Sequence, residues 1–275
     1  MDQYFKTRDG AFATLEARNW DEFKLRAGQF LGGSEDREFQ PAYGKYLFRG
    51  QSCSSWSLIS SFDRRNDGLA PAASKRKYEL MMDRFREVAP RYGALGSSIF
   101  SDRFNDWERL QSRDYEALAQ HHGLPTRLLD WTTSMYVGAF FAFSEIEQCR
   151  SGLVSIWMLD LDGTRQNFSS DHLEYVGDVY RENVRQLWQM GVFTYNRTPK
   201  LRLEDLFRSG SGCFDMGLAD DWPLLLRIDL PGTEAARVLD DLNMMRINSL
   251  TLFPGLDGVI RWIDQGGYAF PQATV

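Results

Sequence analysis

A glycine and a proline close together, Gly123 and Pro125, impose the strongest local constraint on this chain. The preceding residues, Asn105–His122, have a pattern typical of a helix. Glycine readily adopts the left-handed backbone conformation that ends helices, and proline cannot continue one, so the helix is predicted to stop at Gly123. We therefore expect Leu124–Trp131 to be an irregular connector that fixes polar side chains at a pocket rim.

The spacing of apolar residues predicts several further elements. The predicted helices are Trp20–Phe30 (capped by Asn19), Ser74–Val88, Ser134–Gln148, Val179–Met190, Glu234–Met245 and Gly255–Asp264. The predicted strands are Tyr46–Gln51, Trp56–Ser61, Leu153–Leu161, Val192–Tyr195 and Leu224–Leu230. The segments Asn66–Ala72 and Arg197–Asp221 have the composition of loops, and the second is long enough for a lid.

This mixture favours an α+β fold. We expect a single compact domain over residues 1–275, with a mixed or antiparallel sheet and helices concentrated in the N-terminal half. Residues 1–35 are expected to form an N-terminal helical extension of that domain.

Composition narrows the class of protein. The net charge of −6 excludes a generic basic coat for duplex DNA, although 32 Lys and Arg residues leave room for a small basic pocket. The three cysteines form no C-x-x-C pair, so neither a zinc site nor a disulfide framework is predicted. The N-terminus has no signal-peptide pattern, and the most apolar window, Met135–Phe143, is too short to span a bilayer. We expect a cytoplasmic protein with no membrane partner.

Familiar motifs for other chemistries are absent from the sequence. It contains no Walker loop, no G-x-G-x-x-G, no G-x-S-x-G and no H-E-x-x-H. No histidine or cysteine cluster has the spacing of metal ligands, so no metal is expected.

Four segments together resemble the FRG family, which takes its name from a Phe/Tyr-Arg-Gly motif. The segments are Tyr46–Gln51, the long stretch Leu118–Thr132, the looser pattern within Asn183–Tyr195, and Thr251–Gly258. The similarity extends over about residues 40–265. His122 departs from the family pattern, which more often has tyrosine at that place, so His121 is the more family-typical histidine.

The resemblance implies an activity and a setting. Members of the family have been proposed to resemble ADP-ribosyltransferases, and they often occur in bacterial toxin or phage-defence systems. It therefore implies NAD as the cofactor, a nucleotide ligand, a protein or nucleic-acid acceptor, and an antitoxin or other partner protein.

The first motif, Arg49-Gly50-Gln51, is the first candidate ligand-binding segment. Arginine binds anions through a planar fork of donors, and a glycine lets backbone approach a ligand closely. ADP-ribosyltransferases have a similar Arg-Gly or His-Gly pair on their first core strand. The alternative is that Arg49 has a structural role and pairs with a carboxylate.

The connector supplies a second candidate cluster, Thr126, Arg127, Asp130 and Trp131. If these side chains face a pocket, Arg127 would hold a phosphate and Asp130 would orient that phosphate or a ribose hydroxyl. Trp131 would then stack on a ring. The structural alternative is an internal Arg127–Asp130 salt bridge with Trp131 in the core. The adjacent His121 and His122 point to different helix faces, so at most one of them is expected to face the site.

The third motif supplies Arg185 as a ligand-binding candidate and Gln189 as a catalytic one. ADP-ribosyltransferases usually have a glutamate near this place. Glutamine can bind a ribose hydroxyl but carries no charge, so Asp130 or Glu116 would have to supply the carboxylate that stabilises an oxocarbenium-like transition state.

Three hypotheses follow from these residues. The first is an NAD-dependent ADP-ribosyltransferase-like enzyme, favoured by Arg49-Gly50. The second is a non-catalytic module that binds a nucleotide or nucleic acid, favoured by Gln189. The third is a nuclease-like hydrolase that uses a histidine without metal.

Overall fold

The computed structural model describes residues 5–32, 44–96, 110–145, 152–167, 171–177, 184–209 and 223–265. In these ranges the strands are β1 (Thr7–Asp9), β2 (Phe12–Glu16), β3 (Tyr46–Gln51), β4 (Leu128–Thr132), β5 (Leu153–Asp160), β6 (Leu173–Val176), β7 (Gly191–Asn196) and β8 (Leu225–Pro231). The helices are α1 (Trp20–Gly32), α2 (Ser61–Arg65), α3 (Pro71–Gly96), α4 (Ser112–His121), α5 (Met135–Phe143), α6 (Leu161–Asn167), α7 (Val184–Trp188), α8 (Leu203–Ser209), α9 (Ala235–Met244), α10 (Ser249–Leu252) and α11 (Leu256–Asp264).

The strands form one mixed sheet in the order β1-β2-β8-β5-β3-β4-β7-β6. The β2–β8 pair is parallel, and the other described pairs are antiparallel. The predicted α+β class with a mixed sheet is confirmed. The two longest helices, α1 and α3, lie in the first half of the chain, and six shorter helices follow β5.

Helices cover both faces of the sheet at its centre. Along β5, Ile156 and Met158 belong to a core that includes side chains of α1, α5 and α9, whereas Trp157 and Leu159 belong to a second core that includes α8. Alternate residues of a strand point to opposite faces, so this division follows from the backbone. Because both faces are covered, six consecutive residues of β5 are buried.

The N-terminal segment contributes strands to the sheet as well as a helix. β2 pairs with β8 from Phe12↔Leu225 to Glu16↔Asp229, and β1 forms the sheet edge. Helix α1 begins as predicted, with the Asn19 side chain accepting a hydrogen bond from the Glu22 backbone N–H at 2.9 Å. Trp20 in this helix is almost fully buried, so the segment is part of the principal core.

Three sequence-based elements differ in the structure. The segment predicted as a strand at Trp56–Ser61 is irregular and leads into α2, because Ser60 caps that helix by accepting a hydrogen bond from Asp63 N–H at 3.1 Å. The predicted irregular connector ends early, since Leu128–Thr132 forms strand β4 between β3 and β7. Helix α4 begins at Ser112, not Asn105, and residues 101–109 lie outside the described ranges.

Other predicted elements are shifted or supplemented. Helix α3 is longer than predicted and starts at Pro71, a residue suited to the first turn of a helix. Within the predicted loop at 197–221, residues Leu203–Ser209 form α8, and residues 210–222 lie outside the described ranges. The short elements β1, β2, β6, α6 and α10 were not predicted. No helix in the described part of the chain combines the length and apolar character needed to cross a bilayer.

Strand β3 and helix α5 approach each other unusually closely. A Cβ atom on Gly50 would lie 2.0 Å from the carbonyl oxygen of Gly138 and 2.4 Å from the amide nitrogen of Ala142. The absence of a side chain at Gly50 therefore allows the helix backbone to rest directly on the strand.

The two strands that carry the main motifs pair at a single position. Phe48 pairs with Thr132, and no further β3–β4 pair forms among the described residues. On its other side β3 pairs with β5 along its whole length, and β4 likewise pairs with β7. The sheet therefore opens between β3 and β4, on the side of Arg49 and Asp130.

Candidate functional site

A cavity of about 450 Å³ lies at this opening in the sheet. Its lining combines polar and aromatic residues. The polar ones are Arg49, Gln51, Ser52, Arg64, Gln120, His121, Asp130, Thr132, Ser144, Glu145, Gln186, Gln189, Arg261 and Gln265, and the aromatic ones are Phe48, Trp56, Trp131, Phe140, Phe141, Phe193 and Phe253. Concave sites of this size, with a few convergent polar groups among aromatic walls, are typical of small-ligand sites.

Arg49 crosses the opening between the strands. Its Nη1 donates a hydrogen bond to the backbone carbonyl of Asp130 at 2.7 Å and lies 3.6 Å from the Asp130 carboxylate. The Arg49 side chain is 22% exposed, and its Nε is buried with no hydrogen-bond partner among the described residues. Arg49 and Asp130, which belong to two different sequence motifs, thus lie side by side at the cavity.

The groups around Arg49 shift its pKa in opposite directions. Burial lowers the pKa of the Arg49 guanidinium, the neighbouring Asp130 carboxylate raises it, and the like charge of Arg64 lowers it further. Arginine titrates so far above neutrality that the group still carries its positive charge. Arg49 is therefore a partly desolvated cation with donor capacity available to a ligand.

Asp130 is held by a second side chain. Gln120 Nε2 donates to Asp130 Oδ1 at 2.6 Å, and the Gln120 oxygen accepts a hydrogen bond from the hydroxyl of Thr126. Thr126 itself is fully buried and does not line the cavity. The Asp130 side chain remains 62% exposed, so its carboxylate is oriented by protein but accessible to a ligand.

The two histidines have different positions, as expected. His121, the last residue of α4, lines the cavity, whereas His122 caps the helix and is absent from the lining. Both side chains are exposed, and their rings meet edge to face with centroids 5.1 Å apart. Gly123 follows with a φ of +85°, which confirms the predicted helix stop.

Arg127 points away from the cavity. It is 3% exposed, lies 3.4 Å from the Asp63 carboxylate, and donates to Ser74 Oγ at 3.2 Å. Its guanidinium also lies over the ring of Tyr78 at 4.9 Å. The internal Arg127–Asp130 salt bridge, the structural alternative for this cluster, does not form, because Arg127 pairs with Asp63 and Asp130 lies beside Arg49. The geometry gives Arg127 a structural position.

The remaining residues of the first two motifs are also engaged by protein. The Gln51 amide donates to the Ser57 carbonyl at 3.2 Å and accepts from Trp157 Nε1 at 2.8 Å. Trp131 is buried, and its Nε1 donates to Thr194 Oγ1 at 2.8 Å, so its ring belongs to the core. Gly50 lines the cavity. Its lack of a side chain lets the backbone of α5, and not that of a ligand, approach closely.

The third motif reaches the cavity through Gln189. Its Nε2 donates to the carbonyl of Leu252 at 3.0 Å, which ties the end of α7 to α10. Arg185 lies in α7, but its side chain falls outside what the structure describes. Glu116, the alternative carboxylate, is buried away from the lining and accepts from Arg113 Nη1 at 2.7 Å. Burial raises the pKa of Glu116, and the Arg113 charge opposes that shift.

Sequence reasoning missed several lining residues. At one end of the cavity, Phe141 and Phe253 meet edge to face at 6.0 Å, and Arg261 lies 4.5 Å over the Phe253 ring and 3.1 Å from the Glu145 carboxylate. Phe253 lies within Thr251–Gly258, one of the segments that resemble the FRG family, so the sequence contained an indication that this residue belongs to the site. Arg64 had no signal, because it reaches the cavity through the position of α2.

No cluster of three or more His, Cys, Asp or Glu residues that could hold a metal occurs in the described ranges.

Comparison with known proteins agrees with the motifs. A family model of the FRG domain matches residues 44–151, a range that includes Arg49, Arg64, His121, Asp130 and Glu145. No curated protein and no solved structure matches the chain. Gln189, Phe253 and Arg261 lie outside the matched range but line the same cavity. The similarity to the FRG domain is therefore shown for residues 44–151 of the chain.

Proposed function

We propose that the cavity binds NAD and that the chain transfers the ADP-ribosyl group to a macromolecule. The observation that supports this most is the convergence of Arg49 and Asp130 at the opening between β3 and β4. A cationic fork and an accessible carboxylate side by side suit a ligand that has phosphates next to a ribose. NAD supplies the nicotinamide–ribose bond that is broken in this chemistry.

The residues fit such a ligand on two counts. The Arg49 side chain is 22% exposed at the cavity, and among the described residues only its Nη1 makes a hydrogen bond, so Nη2 has capacity to donate to a phosphate. The aromatic end of the cavity, where the partly buried Phe141 packs against Phe253, provides an apolar wall for a planar ring. The Asp130 carboxylate would stabilise positive charge on the ribose as nicotinamide leaves with the electron pair of the broken bond, and the acceptor's proton would pass to solvent as its new bond to the ribose forms.

A non-catalytic binding module is the second candidate. Three observations favour it. The third motif has a neutral residue, Gln189, where a charged one would aid transfer, and the Gln189 amide already donates a hydrogen bond to the Leu252 carbonyl. Asp130 is likewise engaged by Gln120. A pocket of this kind would retain affinity for nucleotides or nucleic-acid ends without turnover.

Titration of NAD into the purified protein, followed by measurement of nicotinamide release, separates the two candidates. We expect binding and release in the wild type when an extract supplies acceptors. Asp130→Asn should keep binding and lose release. Asp240→Asn, a substitution of an exposed carboxylate on α9, is the matched control and should behave like the wild type.

Each result has a definite meaning. Binding without release across protein, RNA and DNA acceptors would leave the binding module and reject the transferase. Absence of both NAD binding and release would reject the proposed ligand.

The setting that we propose is that of a bacterial toxin or phage-defence effector held in check by a partner protein. This rests on the family resemblance. Expression of the wild type should then slow bacterial growth, whereas Asp130→Asn at equal abundance should not. Equal growth of both cultures, or equal inhibition, would count against an effector role.

A further inference from the structure

The cavity carries more positive than negative charge, in contrast to the whole chain. Among the described lining residues, three arginines (Arg49, Arg64 and Arg261) face two carboxylates (Asp130 and Glu145), which is an excess of one positive charge. The whole chain has a net charge of −6. Arg261 and Glu145 pair with each other at 3.1 Å, and Asp130 lies beside Arg49. Arg64 is therefore the cation left without a carboxylate partner in this lining.

Arg64 has the exposure and freedom of a ligand-binding residue. It is exposed at the cavity, and its side chain makes no hydrogen bond or ion pair within the described ranges. Its charge is close enough to act on Arg49. Two like charges at one cavity repel each other, and an anion placed between them removes that cost.

We infer that Arg64 and Arg49 together form a phosphate subsite, and that the ligand of this cavity carries a diphosphate or a similar group with more than one negative charge. The inference rests on the proposed nucleotide function and identifies the part of the ligand that each arginine binds. Arg49 supplies a fixed guanidinium from the sheet, and Arg64 supplies an exposed one from α2.

The buried motif residues explain how Arg64 is positioned. Helix α2 is fastened to Thr126, whose carbonyl accepts from Phe62 N–H at 3.1 Å and whose N–H donates to Ser61 Oγ at 3.2 Å. Asp63, which follows Phe62 in α2, has its carboxylate 3.4 Å from the guanidinium of Arg127. Arg64 follows directly in the chain. Thr126 and Arg127 are thus positioning residues that hold α2 so that Arg64 faces the cavity.

Calorimetric titration with ADP, inorganic pyrophosphate and adenosine tests the subsite. The wild type should bind ADP more tightly than adenosine. Arg64→Ala should weaken ADP and pyrophosphate at least about tenfold, the loss expected when a hydrogen bond between charged groups is removed, and leave adenosine unchanged. Arg64→Lys should recover part of the loss, because lysine keeps the charge but not the planar fork.

Arg65→Ala is the matched control. Arg65 is adjacent on α2, is also exposed and is absent from the cavity lining, so its loss should change none of the three affinities. Because both arginines are exposed, both variants should melt within a few degrees of the wild type.

Two outcomes would overturn the inference. In the first, ADP binds the wild type, but Arg64→Ala and Arg65→Ala have equal affinities; the subsite then fails and nucleotide binding survives. In the second, the wild type binds ADP no more tightly than adenosine, which shows that no phosphate subsite exists. If NAD, ADP and adenosine all fail to bind, the proposed function fails as well.

Discussion

The guanidinium of Arg49 donates a hydrogen bond of 2.7 Å to the backbone carbonyl of Asp130, just beyond the single Phe48↔Thr132 pair between β3 and β4. In a continuous antiparallel ladder, such a carbonyl would accept from the neighbouring strand. Here a side chain takes that place. This hydrogen bond supports the edge of the opening and holds the Arg49 cation at the cavity. Arg49 therefore combines a structural role with the proposed ligand-binding role.

Arg49→Ala should therefore have a small effect on folding and a large one on binding. We expect a loss of about 1 kcal/mol in the free energy of unfolding, near the net value of one hydrogen bond, because the exposed Asp130 allows water to reach the freed carbonyl. Affinity for ADP should fall more than about tenfold. Urea denaturation and calorimetry measure the two quantities, with the exposed Arg76→Ala as control. A loss of more than about 3 kcal/mol would make Arg49 chiefly structural.

Gly50→Ala should destabilise the fold strongly. The added Cβ would lie 2.0 Å from the Gly138 carbonyl oxygen, so β3 and α5 would have to separate. We expect a loss of about 3 kcal/mol or more. Gly68→Ala is the control, because a Cβ there meets nothing within 4 Å. Equal urea midpoints for the two variants would show that the strand–helix contact is looser than described.

The buried pair of Arg127 and Asp63 should be essential for stability. Arg127→Ala leaves the Asp63 carboxylate buried without its cation, for which we expect a loss of about 3–5 kcal/mol. The double variant Arg127→Met/Asp63→Ala should lose much less than the sum of the single variants, since neither charge is then left alone. Additive losses in thermal or urea unfolding would mean that the two charges do not interact.

Acid should weaken the N-terminal part of the fold through Glu22. Hydrogen bonds from Arg18 lower the pKa of the Glu22 carboxyl from 4.5 to about 2. A carboxyl with a depressed pKa in the folded state contributes stability above the unfolded value, and this contribution is lost as the pH falls from 4.5 toward 2. Glu22→Gln should thus melt below the wild type at pH 7 and approach it near pH 2. A constant difference in Tm across this range would contradict the assignment.

Local signals predicted the parts of the fold that local physics decides. The end of α4 at Gly123 and the cap of α1 at Asn19 were predictable, because both depend on residues close together in the chain. Strand β3 has the bounds predicted from its apolar run. The sequence does not predict strand β4, because its five residues become a strand only through pairing with β7, which lies far along the chain.

The site was predictable in part for the same reason. Arg49, His121 and Asp130 were recognisable because they lie within family motifs. The burial of Arg127 was not, since its partner Asp63 lies outside those motifs and meets it only after folding. Arg64 is an arginine in an unremarkable stretch of sequence, and only the packing of α2 brings it to the cavity.

The most direct measurement of the central claim is a crystal structure of the protein grown with ADP-ribose. We predict ligand density in the opening between β3 and β4, with phosphate oxygens within hydrogen-bond distance of the Arg49 and Arg64 guanidiniums and a ribose hydroxyl beside Asp130. Ligand density elsewhere on the molecule, with this cavity filled by water alone, would contradict the account.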